Sequence, residues 1–238
     1  KIKEAFGREN PAHTHALLAA DKSLIGQRVF GGEGLNDVGV HAAALLPTPW
    51  YSEITLGFDR GAHETLFGSG KPEGLAALGH WKNLIELSYA ATVEVGISGL
   101  TGLNAFGGRT VVAGADLTLK AHGRGRRQWN RVIWQTEYIV QSRPGAPDDA
   151  LLGGLYSTIQ AAPVRRVWVG GRFDAVGLPL PAGQERSFAA TGFVVLAPTE
   201  FSAVRVQYQH QWLPGGHRVD SLLAQLNFTI GAHPAHSY

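Results

Sequence analysis

The sequence predicts an all-β protein, an antiparallel transmembrane β-barrel of about twelve strands with short periplasmic turns and longer external loops. Three observations point there: side-chain alternation with period two from about residue 37 onward, breaks at short intervals by Gly, Pro, Asn and Asp, and strand lengths suited to a bilayer. The alternation is plainest near the end, where Leu222, Ala224, Leu226, Phe228 and Ile230 share one face and Ser221, Gln225, Asn227 and Thr229 the other. It recurs at Val111, Ala113, Ala115, Leu117 and Leu119, and at Ile54, Leu56 and Phe58. Expected strands are 37–46, 51–59, 80–88, 92–101, 109–120, 128–142, 151–161, 165–176, 186–198, 201–213 and 218–231.

The connections carry the same message. Short turns at 198–200, 162–164, 89–91 and 47–49 alternate with mostly longer links at 177–185, 143–150, 102–108 and 60–79. Barrels of the outer membrane place short turns on the periplasmic side and long loops outside. Trp50, Tyr51, Trp81, Trp129 and Trp212 fall near strand ends, where an amphipathic ring suits a membrane interface. Eleven strands are odd in number, and closure of a single-chain bacterial barrel calls for an even one. Residues 1–7 alternate weakly and are expected to be part of a first strand. Residues 8–36 form a long loop able to fold into the lumen, 37–231 the barrel strands and 232–238 a tail, so that 1–238 is a single barrel domain.

Composition excludes several classes. With 17% charged residues and 31 glycines, the chain has no run of about 18 apolar residues that would span as a helix. There is no Cys for a disulfide or thiolate metal site, and no Met, even at position 1, which reads as a processed or truncated chain. Net charge is +2, with basic and acidic residues interleaved, which does not suit nucleic acid. No Gly-x-Ser-x-Gly occurs, and Gly31, Gly32 and Gly34 lack the lysine of a phosphate loop, so an enzyme is not expected.

The segments 6–15, 32–40 and 228–236 resemble a family of bacterial outer-membrane barrels often labelled zinc-regulated TonB-dependent outer membrane receptors. The resemblance implies a barrel in the bacterial outer membrane, in contact with outer-membrane lipid. The chain is too short for a 22-stranded receptor barrel with a separate plug. Passive passage of small polar solutes or ions is therefore the expected role. A closed barrel that anchors envelope protein partners, or a receptor related to metal uptake, is the alternative.

Inward parity assigns Glu53, Glu86, Glu94, Asp116, Lys120, Glu137, Arg166, Arg172, Asp174 and Arg205 to the lumen, and with Lys82 and Arg131, of the same parity, charges of both signs nearly balance. Such side chains can filter ions or pair and close the path. No cofactor is required. Zinc is the one metal the sequence suggests, because His13 with His15 and His233 with His236 form close pairs of imidazole ligands, although each pair falls short of the usual three or four.

Overall fold

The fold was analysed from a computed structural model that describes residues 2–67, 74–123, 130–146, 151–179, 185–199 and 201–228. Eleven strands form one antiparallel meander: β3 (Gly39–Leu45), β4 (Tyr51–Asp59), β5 (Ala76–Ser88), β6 (Ala91–Leu103), β7 (Arg109–His122), β8 (Arg131–Ser142), β9 (Leu151–Val164), β10 (Val167–Val176), β11 (Ser187–Thr199), β12 (Ser202–Trp212) and β13 (Arg218–Phe228). Each pairs with its neighbour in sequence, leaving β3 and β13 as the two edges of an open sheet. Every expected strand from residue 37 onward has its counterpart, because period-two patterning and turn chemistry are local signals.

The differences lie at strand ends and at the N-terminus. β5 begins at Ala76 rather than at 80, and β6 runs on to Leu103. The expected turn at 162–164 lies inside β9. The chain reverses at Arg165 and Arg166 instead, Arg166 taking a φ of 69°. Of the expected first strand 1–7, residues 2–7 do not join the large sheet and residue 1 lies outside the described residues. Ile2–Lys3 (β1) pairs only with Asn36–Asp37 (β2), in a separate two-stranded ribbon. The chain then turns inward at Gly7 (φ 59°) and sends Phe6, fully buried, into the core.

The segment between β1 and β2, expected as loop, contains a helix, α1 (Leu24–Phe30). Its signals are local: Ser23 Oγ accepts the N–H of Gly26 as an N-cap, Ile25, Val29 and Phe30 are buried, and Gly31 ends it at φ 75°. Phe6 and these three residues pack with Leu78, Leu100, Val112, Ile139, Leu152 and Val176, which come from β5 to β10. Farther along the segment, Ala19 packs with Trp168, Phe193, Val195 and Ala203 from β10 to β12. One short stretch of chain thus touches most of the width of the sheet on one face, so the sheet is curled around it.

The other face is apolar and uncovered. Phe58 is 66% exposed, Ile97 55% and Leu222 73%, and large apolar side chains stand outward on every strand from β3 to β13. The inner face instead buries Asp116, Glu137, Gln141, Arg172, Asp174, Arg205 and Gln207. Trp50 and Trp81 are also on the outside, their indole N–H groups bonded to Asn83 and Ser52. Trp129 lies outside the described residues.

Phe6 stands edge-on to Phe30 at 5.1 Å and is fully buried. Phe6→Ala should destabilise the fold by about 3–5 kcal/mol, as buried Phe truncations do, seen as a lower midpoint in denaturant titration followed by circular dichroism.

Candidate functional site: the buried charges between the N-terminal segment and the sheet

The inner face holds its N-terminal segment by charged side chains that reach backbone groups of the segment. Arg172 on β10 lies between two carboxylates: its Nε donates to Asp174 Oδ2 at 2.8 Å and its Nη2 to Asp21 Oδ1 at 3.0 Å, while Nη1 donates to the Asp21 carbonyl. The other Asp174 oxygen accepts the N–H of Leu24 at 2.9 Å, at the start of α1. Beside it on β12, Arg205 donates to the carbonyls of Leu17 and Ala19, and Gln207 exchanges bonds with Asp21 and Ala20. Strand alternation puts Arg205, Gln207 and Gln209 on one face, and the extended run 17–21 offers its carbonyls to them.

Two strands away and in register with Asp174 through Tyr156 of β9, Glu137 of β8 accepts the N–H groups of Arg8 and Glu9 and the hydroxyl of Tyr156. Gly7 makes this approach possible, since a Cβ at that position would fall 1.7 Å from Glu137 Oε1. Arg8 reaches Glu94 of β6 at 3.2 Å, and Gly7 N–H bonds Ser98. Glu9 is buried and accepts the N–H and hydroxyl of Ser23. Burial pushes its carboxyl above the ordinary value, while Arg172 and the Ser23 bonds pull it back.

The two ends of this interior differ. The apolar cluster around Phe6 includes Leu66 and Phe67 from the β4–β5 link, so it closes the end that carries the longer links. Toward the short-turn end the side chains leave a cavity of about 420 Å³. Glu53, Lys82, Glu94, Lys120, Arg172 and Arg205 line it, with Arg8 of the segment. Glu53 and Lys82, register partners on β4 and β5, pair at 3.3 Å in its wall.

The ten residues assigned inward by parity therefore separate. Glu53, Glu94, Lys120, Arg172 and Arg205 face the cavity, and Asp116, Glu137 and Asp174 are buried on the same face. Glu86 shares that parity but sits at the exposed end of β5, and Arg166 lies in a turn, because the strands outrun the packed interior. Arg172 and Glu137 bond to different stretches of the segment rather than facing each other as a pair across a channel. The histidine pairs do not form a metal site among the described residues. His13 and His15 stack at 5.6 Å and belong to no group of three metal-ligating side chains among the described residues, and His233 and His236 lie outside the described residues.

Parity did not reveal the partners supplied by the segment, above all Glu4, Glu9 and Asp21. A second histidine, His41 on β3, lies with its Nε2 2.9 Å from both Glu4 and Asp59. Glu4 is buried at 1% exposure, and its carboxyl is pushed up to about 7, by burial first and then by the charge of Asp59, against the opposing pull of His41.

The chain is 27% identical to an uncharacterized protein from Aquifex aeolicus (strain VF5) over 282 aligned positions. The alignment takes in the whole of this chain and 59% of that protein, so the chain spans about three-fifths of the relative's length. No family model and no solved structure matches.

Arg172→Met should lower stability by about 3–5 kcal/mol, because it leaves Asp174 and Asp21 without their cation; the double change with Asp174→Leu should recover part of the loss, read by denaturant titration. A pH effect follows from His63, in the β4–β5 link, whose Nε2 donates to the Gly34 carbonyl while burial lowers its value below 6.5. The unfolded state then takes up the proton first, so the contribution of His63 is present above about pH 6.5 and is lost as the pH falls below it. Amide protection factors at 61–67, taken relative to the intrinsic exchange rate at each pH, should fall between pH 7 and 5, and less so in His63→Gln.

Proposed function

We propose that the chain is a bacterial outer-membrane β-barrel plugged by its own N-terminal segment, closed at the long-link end and open to water at the short-turn end. One observation carries this reading: polarity is inverted, with apolar side chains exposed on the outside of every strand of the sheet and charged ones buried inside. An exposed apolar surface of that extent is a membrane or partner surface. Strands of nine residues or more, which every strand of the large sheet but β3 is, suit a tilted crossing of the bilayer. The alternation of short and longer links agrees with a periplasmic and an external side.

Successive strands alternate in direction, so β3 and β13 run the same way. Antiparallel closure between them takes one more strand, making about twelve. The cavity at the short-turn end then faces the periplasm, and passage of small polar solutes or ions requires the segment to shift. The plug is held by hydrogen bonds and ion pairs at Arg172, Arg205 and Glu137 as well as by apolar packing. That dense packing also favours a second reading, a permanently closed barrel that anchors envelope partners through its external links.

Two measurements test this. Ile97→Arg, in the middle of the outer face of β6, should cost about 2–4 kcal/mol of folding into lipid vesicles, while a charge on the inner face should not scale with bilayer depth. An equal effect on folding in bilayer and in aqueous detergent-free buffer would remove the membrane reading. In planar bilayers the wild-type protein should be silent or open only rarely, and Arg172→Ala with Arg205→Ala should raise the open probability at least tenfold. Steady large steps from wild type would overturn the plugged reading, and silence from both proteins would favour the closed anchor.

A further inference from the structure

We propose that Glu4, His41 and Asp59 bind one divalent transition-metal ion, which ties the N-terminal segment to the first two strands of the sheet. The three ligand atoms lie within 4.8 Å of one another, and His41 Nε2 is 2.9 Å from both Glu4 Oε2 and Asp59 Oδ1. Two donors at roughly 2.1 Å from a common ion and about 90–109° apart are separated by roughly 3.0–3.4 Å, so both His41 contacts already suit ligation, and Glu4 and Asp59 start within 4.8 Å of each other.

Without an ion the chemistry is unbalanced. A ring nitrogen carries at most one proton, and it aligns with Asp59, so both oxygens of Glu4 are buried without a hydrogen bond. The second oxygen of Asp59 is equally without one. Asp37 is buried nearby and adds a third negative charge, its own oxygens taken by the N–H groups of Val38 and Ala62. Buried carboxylates in this state call for a cation or a shared proton.

The backbone leaves room for the ligands. His41 lies opposite Gly57 and Asp59 opposite Gly39 in the β3–β4 register. A Cβ at Gly57 would stand 2.7 Å from His41 Nε2, and one at Gly39 would stand 2.1 Å from Asp59 Oδ1. The His41 side chain is 16% exposed, which gives an ion a way in. One imidazole with two carboxylates suits zinc or a neighbouring first-row divalent ion rather than a soft or a purely oxygen-seeking one. Glu4 follows directly on β1, so ligation would fasten the start of the plug to the wall at the end that carries the long links.

The test is calorimetric titration of the untagged, chelator-treated full chain, folded in detergent, with Zn2+, and with Co2+ followed by visible absorption. One equivalent should bind at micromolar affinity or tighter and raise the melting temperature. His41→Ala should weaken binding by at least ~100-fold, since loss of a ligand exceeds the effect of losing its outer partner. Glu4→Gln, which preserves shape, should weaken it by at least tenfold while strand content by circular dichroism is unchanged. No binding by wild type would overturn the site and leave a shared proton as its occupant. Binding that survives both substitutions, or is lost in His13→Ala with His15→Ala instead, would also overturn it. Zinc titration reads this site whether or not the protein conducts, so its failure is distinct from failure of the barrel reading.

Discussion

Arg172, held between Asp174 and Asp21, is the contact on which the rest of the interior depends. One of its carboxylates belongs to the wall and the other to the N-terminal segment, so a single guanidinium joins two parts of the chain that are far apart in sequence. Asp174 also accepts the N–H of Leu24, which places α1 against β8, β9 and β10. Only 1% of the Arg172 side chain is exposed, so these carboxylates rather than water hold its charge. Geometry this closed is costly to break from one side and sets the position of the segment more than it adds to net stability.

The same logic runs along the segment. Glu4 faces β3 and β4, Arg8 and Glu9 face β6 and β8, Asp21 faces β10 and β12, and the Leu17 and Ala19 carbonyls face Arg205. Arg172, Arg205 and Glu137 of the sheet each find partners on the segment, and the apolar cluster around Phe6 and Phe30 seals one end. The result is a polar interior with a dry stopper at the long-link end and a charged cavity at the other. An aqueous solvent outside would leave the apolar outer face as a large penalty, whereas lipid would make the same face the favourable one. The membrane proposal therefore explains inside and outside with one cause.

Much of this was legible in the amino-acid order. Period-two alternation located all eleven strands of the large sheet, and parity along β10 and β12 marked Arg172, Asp174 and Arg205 as inward, because side chains of a strand alternate whatever the strand later packs on. The Ser23 cap and Gly31 stop of α1 were present as local signals, though a seven-residue helix inside a long loop carries too short a period to stand out. Glu86 and Arg166 show where parity fails: it tells the face but not how far the packed interior extends along it.

What the sequence determined by itself was the meander, the polarity of its two faces and the rhythm of its links, since these arise from contacts between neighbours in the chain and from turn chemistry. Only the tertiary structure decided that residues 4–35 lie inside the curled sheet, that Glu137 receives their N–H groups, and that Glu4 meets His41 and Asp59. Those contacts join residues separated by tens of positions or more, and their energy comes from partners brought together when the sheet curls. No pattern local to Glu4 or to His41 records that the other will be 2.9 Å away.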